Sequence, residues 1–163
     1  MIAIVKAKTK SDFSQIEKIA FEIWTEHYTP IIGTKSVKYM LNKFQTASAI
    51  ESQVLNGTKY FKLIFNDELV GYVSFYKKES LLFLSKIYVQ SSCRGKGIGK
   101  KAMLFVEEKA KKLNCKGISL TVNRENLNSI NAYKKMGFKN TGTNIADIGE
   151  GFVMDDYLME KIF

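Results

Sequence analysis

The chain is short of the residues that make disulfide frameworks and metal clusters: it has two cysteines, one histidine and one proline in 163 residues. Cys93 and Cys115 form no disulfide framework and have no metal-ligand spacing, which fits a reducing compartment, and no metal site is expected. Long apolar runs are missing as well. The opening stretch Ile2-Ala3-Ile4-Val5 is too short for a signal peptide, and nothing later approaches membrane-spanning length. Cytoplasm is therefore the expected location, with no membrane partner. There is no internal repeat, low-complexity tract or linker, so residues 1–163 are read as one domain. Acidic residues are outnumbered 16 to 25 by basic ones, a net charge of +9. That balance permits contact with nucleic acid, but the lysines are scattered and no helix-turn-helix, zinc or RNA-binding signature accompanies them. No nucleic-acid partner is expected.

What is present is a regular succession of periodic segments. Ile2 to Lys8 alternates as a strand. From Ser11 to Tyr28 the spacing predicts a helix with Ile16, Ile19, Ala20, Ile23, Trp24 and His27 on one face. Ser14 and Glu17 have capping-box spacing at its start, and Pro30 is expected to stop it. Two further helices are predicted from Ser36 to Phe44 and from Ala47 to Leu55, the second closing at Asn56-Gly57. Strands follow from Tyr60 to Phe65, Leu69 to Tyr76 and Leu81 to Val89, with turns at Asn66-Asp67 and Lys77 to Ser80. A helix from Lys100 to Leu113, a strand from Gly117 to Val122 and a helix from Asn126 to Met136 come next. Strands from Phe138 to Ile145 and Phe152 to Phe163 then close the chain around the turn Asp147 to Gly151. This order predicts an α/β (mixed α+β) fold: a mixed sheet flanked by helices, strands two to four antiparallel, the fourth and fifth parallel across a crossover helix.

The stretch Ser92-Cys-Arg94-Gly95-Lys96-Gly97-Ile98-Gly99-Lys100-Lys101 joins a predicted strand to a predicted helix. Glycines let backbone N–H groups approach an anion, and a helix start adds unpaired donors and partial positive charge. With Arg94, Lys96 and Lys100 alongside, the ligand expected here is a phosphorylated cofactor. It is not a dinucleotide site of the Gly-x-Gly-x-x-Gly kind, because the glycines alternate and Lys116-Gly117 stands where a ribose-binding acid is needed. Nor is it a nucleoside-triphosphate P-loop, since Gly-Lys-Ser/Thr never occurs. The pattern Arg-x-x-Gly-x-Gly, at Arg94, Gly97 and Gly99, resembles the pyrophosphate loop of the GCN5-related N-acetyltransferases (GNAT), which hold acetyl-coenzyme A. Asn126-Leu-Asn-Ser129-Ile-Asn-Ala-Tyr133-Lys-Lys135-Met-Gly137-Phe138 is very similar to a second block of that family. The two blocks stand in the family's order.

The resemblance implies a three-layer fold whose central sheet of about seven strands, mixed but mostly antiparallel, splays between strands four and five. It implies acetyl transfer from acetyl-coenzyme A directly to a primary amine, without metal. The pyrophosphate would rest on Arg94, Gly95, Lys96, Gly97, Ile98, Gly99 and Lys100. The pantetheine arm would pair with the backbone of Ile87, Tyr88 and Val89 in the fourth strand. Asn126, Ser129, Tyr133 and Lys135 would complete cofactor binding, with Tyr133 protonating the leaving thiolate and the Ile87 N–H supporting the oxyanion. Acceptor selection would fall to Trp24, Glu26, His27, Tyr28 and Asp155, an arrangement broadly similar to the diamine and polyamine branch, though a peptide amine fits the same features. One departure stands out: where many relatives place a glutamate on the fourth strand, this chain has Ser85. That leaves the general base open among Glu22, Glu26, His27, Asp155 and solvent. It also leaves a coenzyme-A-binding regulatory domain without turnover as the competing reading. An exposed final strand leaves a homodimer open.

Overall fold

The structure, a computed structural model, describes all 163 residues. Its elements are β1 (Ile2–Lys6), α1 (Lys10–Ile32), α2 (Thr34–Phe44), α3 (Ala47–Leu55), β2 (Lys59–Phe65), β3 (Glu68–Lys78), β4 (Leu81–Val89), α4 (Ile98–Lys112), β5 (Gly117–Asn123), α5 (Leu127–Lys135), β6 (Lys139–Gly149) and β7 (Phe152–Ile162). The seven strands form one sheet in the order β1-β2-β3-β4-β5-β7-β6. This is the mixed α/β architecture expected, with β4 and β5 parallel and β1-β2, β2-β3, β5-β7 and β7-β6 antiparallel. No helix is long and apolar enough to cross a membrane.

Two compact units are distinguishable, residues 1–76 with 86–106, and residues 77–85 with 107–163. In the first, alternation along β2 and β3 sends neighbouring side chains to opposite faces. Tyr60 and Tyr72 meet Phe13, Ile16, Ala20 and Ile23 of α1, Val37 and Leu41 of α2 and Ile50 of α3. Phe61 turns the other way, against Phe75 and against Phe105 of α4, with ring centroids 5.5 and 4.8 Å apart. The tyrosine hydroxyls are not left dry. Trp24 Nε1 donates to the Tyr72 hydroxyl (2.9 Å), Tyr72 donates to Gln45 Oε1 (2.5 Å), and Tyr60 donates to Gln53 Oε1 (2.6 Å). Burial pushes both phenols above the ordinary tyrosine range, so they remain neutral donors and the chain of bonds stays satisfied.

Helix boundaries follow local chemistry, not always the chemistry expected. The capping box of α1 is Thr9 with Asp12, not Ser14 with Glu17: Thr9 Oγ1 accepts the Asp12 N–H (3.1 Å) and Asp12 Oδ2 accepts the Thr9 N–H (3.0 Å). Glu17 instead accepts the Ala47 N–H at the start of α3 (3.1 Å). Nor does Pro30 stop α1. It sits inside the last turn, where it removes one bond to the preceding turn but has only Ile31 and Ile32 of the helix after it, and the helix runs on to Ile32 until Gly33 turns away at φ +88°. α3, α4 and α5 end alike, with a residue at positive φ (Gly57, Asn114, Gly137) and paired bonds back to the last turn, as in Thr58 N–H to Gln53 O (3.0 Å) and Gly57 N–H to Val54 O (3.1 Å). Asn66 and Asp67 both take positive φ, as a two-residue hairpin turn requires. The closing hairpin is longer than expected, because β6 runs on to Gly149 and only Glu150-Gly151 turns.

In the second unit β5 is framed on one side by β7, from Gly117↔Ile162 to Asn123↔Asp156. On the other side it meets β4 over Leu81↔Gly117, Leu82↔Ile118 and Phe83↔Ser119, and there the ladder ends. Within this unit Leu84 and Ser85 continue β4, and Leu120 to Asn123 continue β5, beyond that ladder.

One close approach fixes where β4 lies against β3. A Cβ added to Gly71 falls 2.1 Å from the Tyr88 carbonyl oxygen, a backbone atom with no freedom to yield. Gly71→Ala should therefore lower stability by roughly 2–4 kcal/mol, at or above the usual cost of overpacking, and drop the melting temperature by several degrees. A change below about 1 °C would show that the two strands do not approach this closely.

Candidate active site

The glycine loop is assembled within the first unit. A bulge between Leu63 and Ile64 shifts the β2-β3 register, and the Val70 carbonyl accepts the Gln90 N–H (2.8 Å) where β4 leaves the sheet. α1 holds the next two side chains: Gln90 Nε2 donates to Glu22 Oε2 (3.2 Å) and Ser91 Oγ donates to Glu26 Oε1 (2.7 Å). A single 3-10 turn over Ser91–Cys93 follows, then Arg94 in extended conformation, then Gly95 and Gly97 at φ +77° and +79°. The Gly97 carbonyl accepts the Lys101 N–H (3.1 Å). The N–H groups of Ile98, Gly99 and Lys100 thus have no acceptor within the helix. Ile98 is 1% exposed and pins this start to the core.

The loop's outer surface is open. A Cβ built on Gly95, Gly97 or Gly99 meets nothing within 4 Å. At Gly95 and Gly97 the positive φ alone calls for glycine, whereas Gly99 has no such backbone requirement. Arg94, Lys96 and Lys100 are exposed around it, Lys96 Nζ lying 5.5 Å from the Phe65 ring centroid. Donors and cations with room above them can hold a polyanion. Lysines 109, 111 and 112 do not contribute to this rim, because they lie in the last turn of α4, at the other end of the helix from the glycines.

In the same unit β4 carries Ile87, Tyr88 and Val89 as strand. The Tyr88 ring lies against Trp24 and Tyr72 at centroid distances of 5.5 and 5.6 Å, and its hydroxyl is 3.1 Å from that of Tyr28. Trp24 itself is 3% exposed with its N–H committed to Tyr72, so it packs the core rather than lining an open wall. His27 is partly buried, edge-on to Tyr28 at 4.7 Å. Glu22 and Glu26 are committed to Gln90 and Ser91, which makes them supports of the loop's entrance. Lys86 was not singled out in the sequence, where it reads as a polar interruption of an apolar run. Burial pushes its ammonium down to about 8.

The second unit carries the Asn126–Phe138 block. Asn126 stands before α5 and is buried, but its side chain makes no capping bond, although Asn is among the residues that best cap a helix. Asn123 organises that turn instead, its Oδ1 accepting the Glu125 N–H (2.9 Å) and its carbonyl the Asn126 N–H (2.9 Å). The spacing Tyr133 to Phe138 has a physical reason. Phe138 N–H donates to Tyr133 O and Gly137 N–H to Lys134 O, both at 3.0 Å, with Gly137 at φ +99°. The two rings meet at 5.8 Å, the apolar contact that accompanies this helix ending. Tyr133 is thereby anchored through its ring and backbone. Ser129 is partly buried and Lys135 exposed.

On β7, Asp155 pairs with Arg124 Nε at 2.9 Å, and the Arg124 guanidinium lies over the Tyr157 ring at 5.0 Å. Its neighbour Asp156 is 4% exposed, and burial, aided by the charge on Asp155, raises its pKa to about 6. In the sequence Asp155 and Asp156 both offer charge to steer a cation, and periodicity does not show that Asp156 is the buried one of the two. No group of three His, Cys, Asp or Glu side chains comes together to hold a metal.

Residues 18–138 match the Acetyltransferase (GNAT) family. Among solved structures, the chain is similar to the PaiA N-acetyltransferase of Thermoplasma acidophilum in complex with coenzyme A, at 22% identity over 100% of this chain and 99% of that one, TM-score 0.82. It is similar also to a Bacillus subtilis acetyltransferase in complex with CoA (19% identity, 100% and 99% covered, TM-score 0.68). A GNAT family acetyltransferase from Elizabethkingia anophelis with acetyl-CoA bound aligns at 16% identity over 99% and 98%, TM-score 0.66. At these identities the likenesses establish the fold, while the family match spans most of the sequence and both of its motifs begin within it. The chain belongs to the acetyltransferase (GNAT) family and is an acyltransferase.

Proposed function

We propose that residues 1–163 act as a single N-acetyltransferase domain that moves the acetyl group of acetyl-coenzyme A directly to a primary amine. The observation that carries this reading is the loop at Arg94–Lys100: glycine positions opening on empty space, a helix start with unpaired donors, and three cations. In this reading the loop N–H groups with Arg94, Lys96 and Lys100 neutralise the pyrophosphate. The backbone of Ile87, Tyr88 and Val89 receives the pantetheine arm as an added strand, which suits a β4 that has no β5 partner beyond Phe83. The Ile87 N–H stabilises the carbonyl oxygen as it gains charge. Asn126, Ser129 and Lys135 assist cofactor binding, and Tyr133 gives its phenolic proton to the leaving thiolate.

For the acceptor we favour a small diamine or polyamine-like amine, with a peptide amine as the other candidate. His27 and Tyr28 would supply the aromatic surface, and Glu26 and Asp155 the negative charge that draws a cationic amine. Coenzyme A and the amine are then the two partners, and cytoplasm the expected compartment. Calorimetric titration with acetyl-coenzyme A, followed by an amine panel read as release of free coenzyme A, tests the proposal. Micromolar binding with amine-stimulated release is expected. Binding without release from any amine would make the chain a coenzyme-A-responsive regulatory domain, the reading that Ser85 on β4 favours.

A further inference from the structure

We infer that Asp156 is the group that takes the proton from the acceptor nitrogen as the new C–N bond forms. This rests on the acetyl-transfer reading above and supplies the base which Ser85 cannot. Asp156 lies on β7 opposite Asn123 of β5 and Asn144 of β6, so both ladder neighbours are neutral amides and neither is a cation. Strand alternation puts it on the same face as Thr121 and Asn123, and the Thr121 hydroxyl hydrogen-bonds its carboxyl. Thr121 and Asn123 belong to the part of β5 beyond Ser119, after its ladder with β4 has ended. A buried carboxylate therefore stands on β7 beside the part of β5 that follows its ladder with β4. Packing gives no reason for a charge there, because burying a carboxylate without a cation costs stability.

Its acidity suits the task. A pKa of about 6 leaves Asp156 ionised at neutral pH yet more basic than an ordinary aspartate. The other charged groups around it are Asp155, next along the strand and held by Arg124. On the same face is Glu160, opposite Ser119 of β5 and Lys139 of β6. Arg124 is paired with Asp155, and the charge that acts on Asp156 is that of Asp155, which raises its pKa further.

The step balances as follows. The neutral amine nitrogen bonds to the thioester carbonyl carbon and becomes cationic and strongly acidic. Asp156 accepts one of its protons. The C–S bond breaks, sulfur keeps the electron pair and takes the Tyr133 proton, and the proton on Asp156 returns through solvent to the Tyr133 oxygen. The products are the N-acetyl amide and free coenzyme A, with both side chains restored.

The test is Asp156→Asn in the full chain, with acetyl-coenzyme A affinity, kcat and the pH profile of kcat/KM measured beside wild type. We expect affinity within about twofold, kcat lower by roughly 10²–10³-fold, and loss of an acidic limb that sits near pH 6 in wild type. Thr121→Val should move that limb to higher pH, because the hydroxyl stabilises the ionised carboxylate, and it carries the test should Asp156→Asn fail to fold. Thermal melts give an independent sign. The folded pKa exceeds the ordinary aspartate value, so the stability due to protonation is complete below about pH 4 and lost as pH rises through about 6. Asparagine mimics the protonated acid, so the variant should melt above wild type at pH 7 and level with it at pH 4. Unchanged kcat with an unchanged limb overturns the assignment. So does a limb near 8 that disappears in Lys86→Met, which would give the proton to Lys86. Wild-type protein that neither binds acetyl-coenzyme A nor releases coenzyme A with any amine overturns the underlying reading of function, and this inference with it.

Discussion

Gly99→Val should give a folded protein whose affinity for acetyl-coenzyme A is lower by roughly a hundredfold. Nothing in the protein opposes the new side chain, since a Cβ at this position meets no atom within 4 Å and the backbone is not in the left-handed region. Replacing glycine near a helix start is, if anything, favourable, because Gly is the poorest non-proline helix former by about 1 kcal/mol relative to Ala. In the proposed reading the empty volume is where a phosphate oxygen comes to reach the N–H groups of Ile98 to Lys100. A methyl or isopropyl group there forfeits one or two charge-assisted hydrogen bonds, each worth ~1.5–3 kcal/mol, and ~1.4 kcal/mol is a factor of ten in affinity. Gly99→Ala should fall between wild type and valine. Gly97 is the poorer probe: at φ +79° any side chain strains the backbone, and lost binding there would not separate a damaged loop from a filled one. Calorimetric titration beside thermal melts decides the matter. An unchanged dissociation constant for Gly99→Val would mean that the pyrophosphate does not rest on this loop.

Tyr133→Phe should cut turnover by roughly 10²–10³-fold, the usual worth of a placed general acid, while acetyl-coenzyme A affinity stays within a few-fold of wild type. The ring is the structural part of this residue. It sits on Phe138 at 5.8 Å, and the backbone bonds that close α5 do not involve the hydroxyl. Phenylalanine keeps the ring contact, so the melting temperature should hold, whereas Tyr133→Ala should lose it along with stability. Single-turnover kinetics reads the chemical step directly. If kcat and the dissociation constant fall together, Tyr133 positions the cofactor and does not donate the proton.

Read from the chain alone, the elements and their order were legible, because hydrophobic period, turn residues and the glycine endings of α3 and α5 are local properties. So were Arg94, Gly97 and Gly99 and the Tyr133–Phe138 spacing, which a helix ending explains within a few residues. Some local signals had rivals of equal quality. Thr9-Asp12 and Ser14-Glu17 both have capping spacing, and only the packing of Phe13 and Ile16 into the core chooses the earlier start. Pro30 breaks a helix interior but not a last turn, and the helix's true end depends on Gly33.

Sequence by itself thus determined the family, the mixed sheet and the loop, since each rests on residues close together along the chain. Tertiary structure alone decided which polar groups are dry and which are occupied. It sent Trp24 into the core, tied Glu22 and Glu26 to Gln90 and Ser91, and enclosed Asp156 while leaving Asp155 half-exposed beside Arg124. The physical reason is that acidity and hydrogen-bond state depend on solvent exclusion and on neighbours from distant strands, and neither is a property of any short stretch of chain.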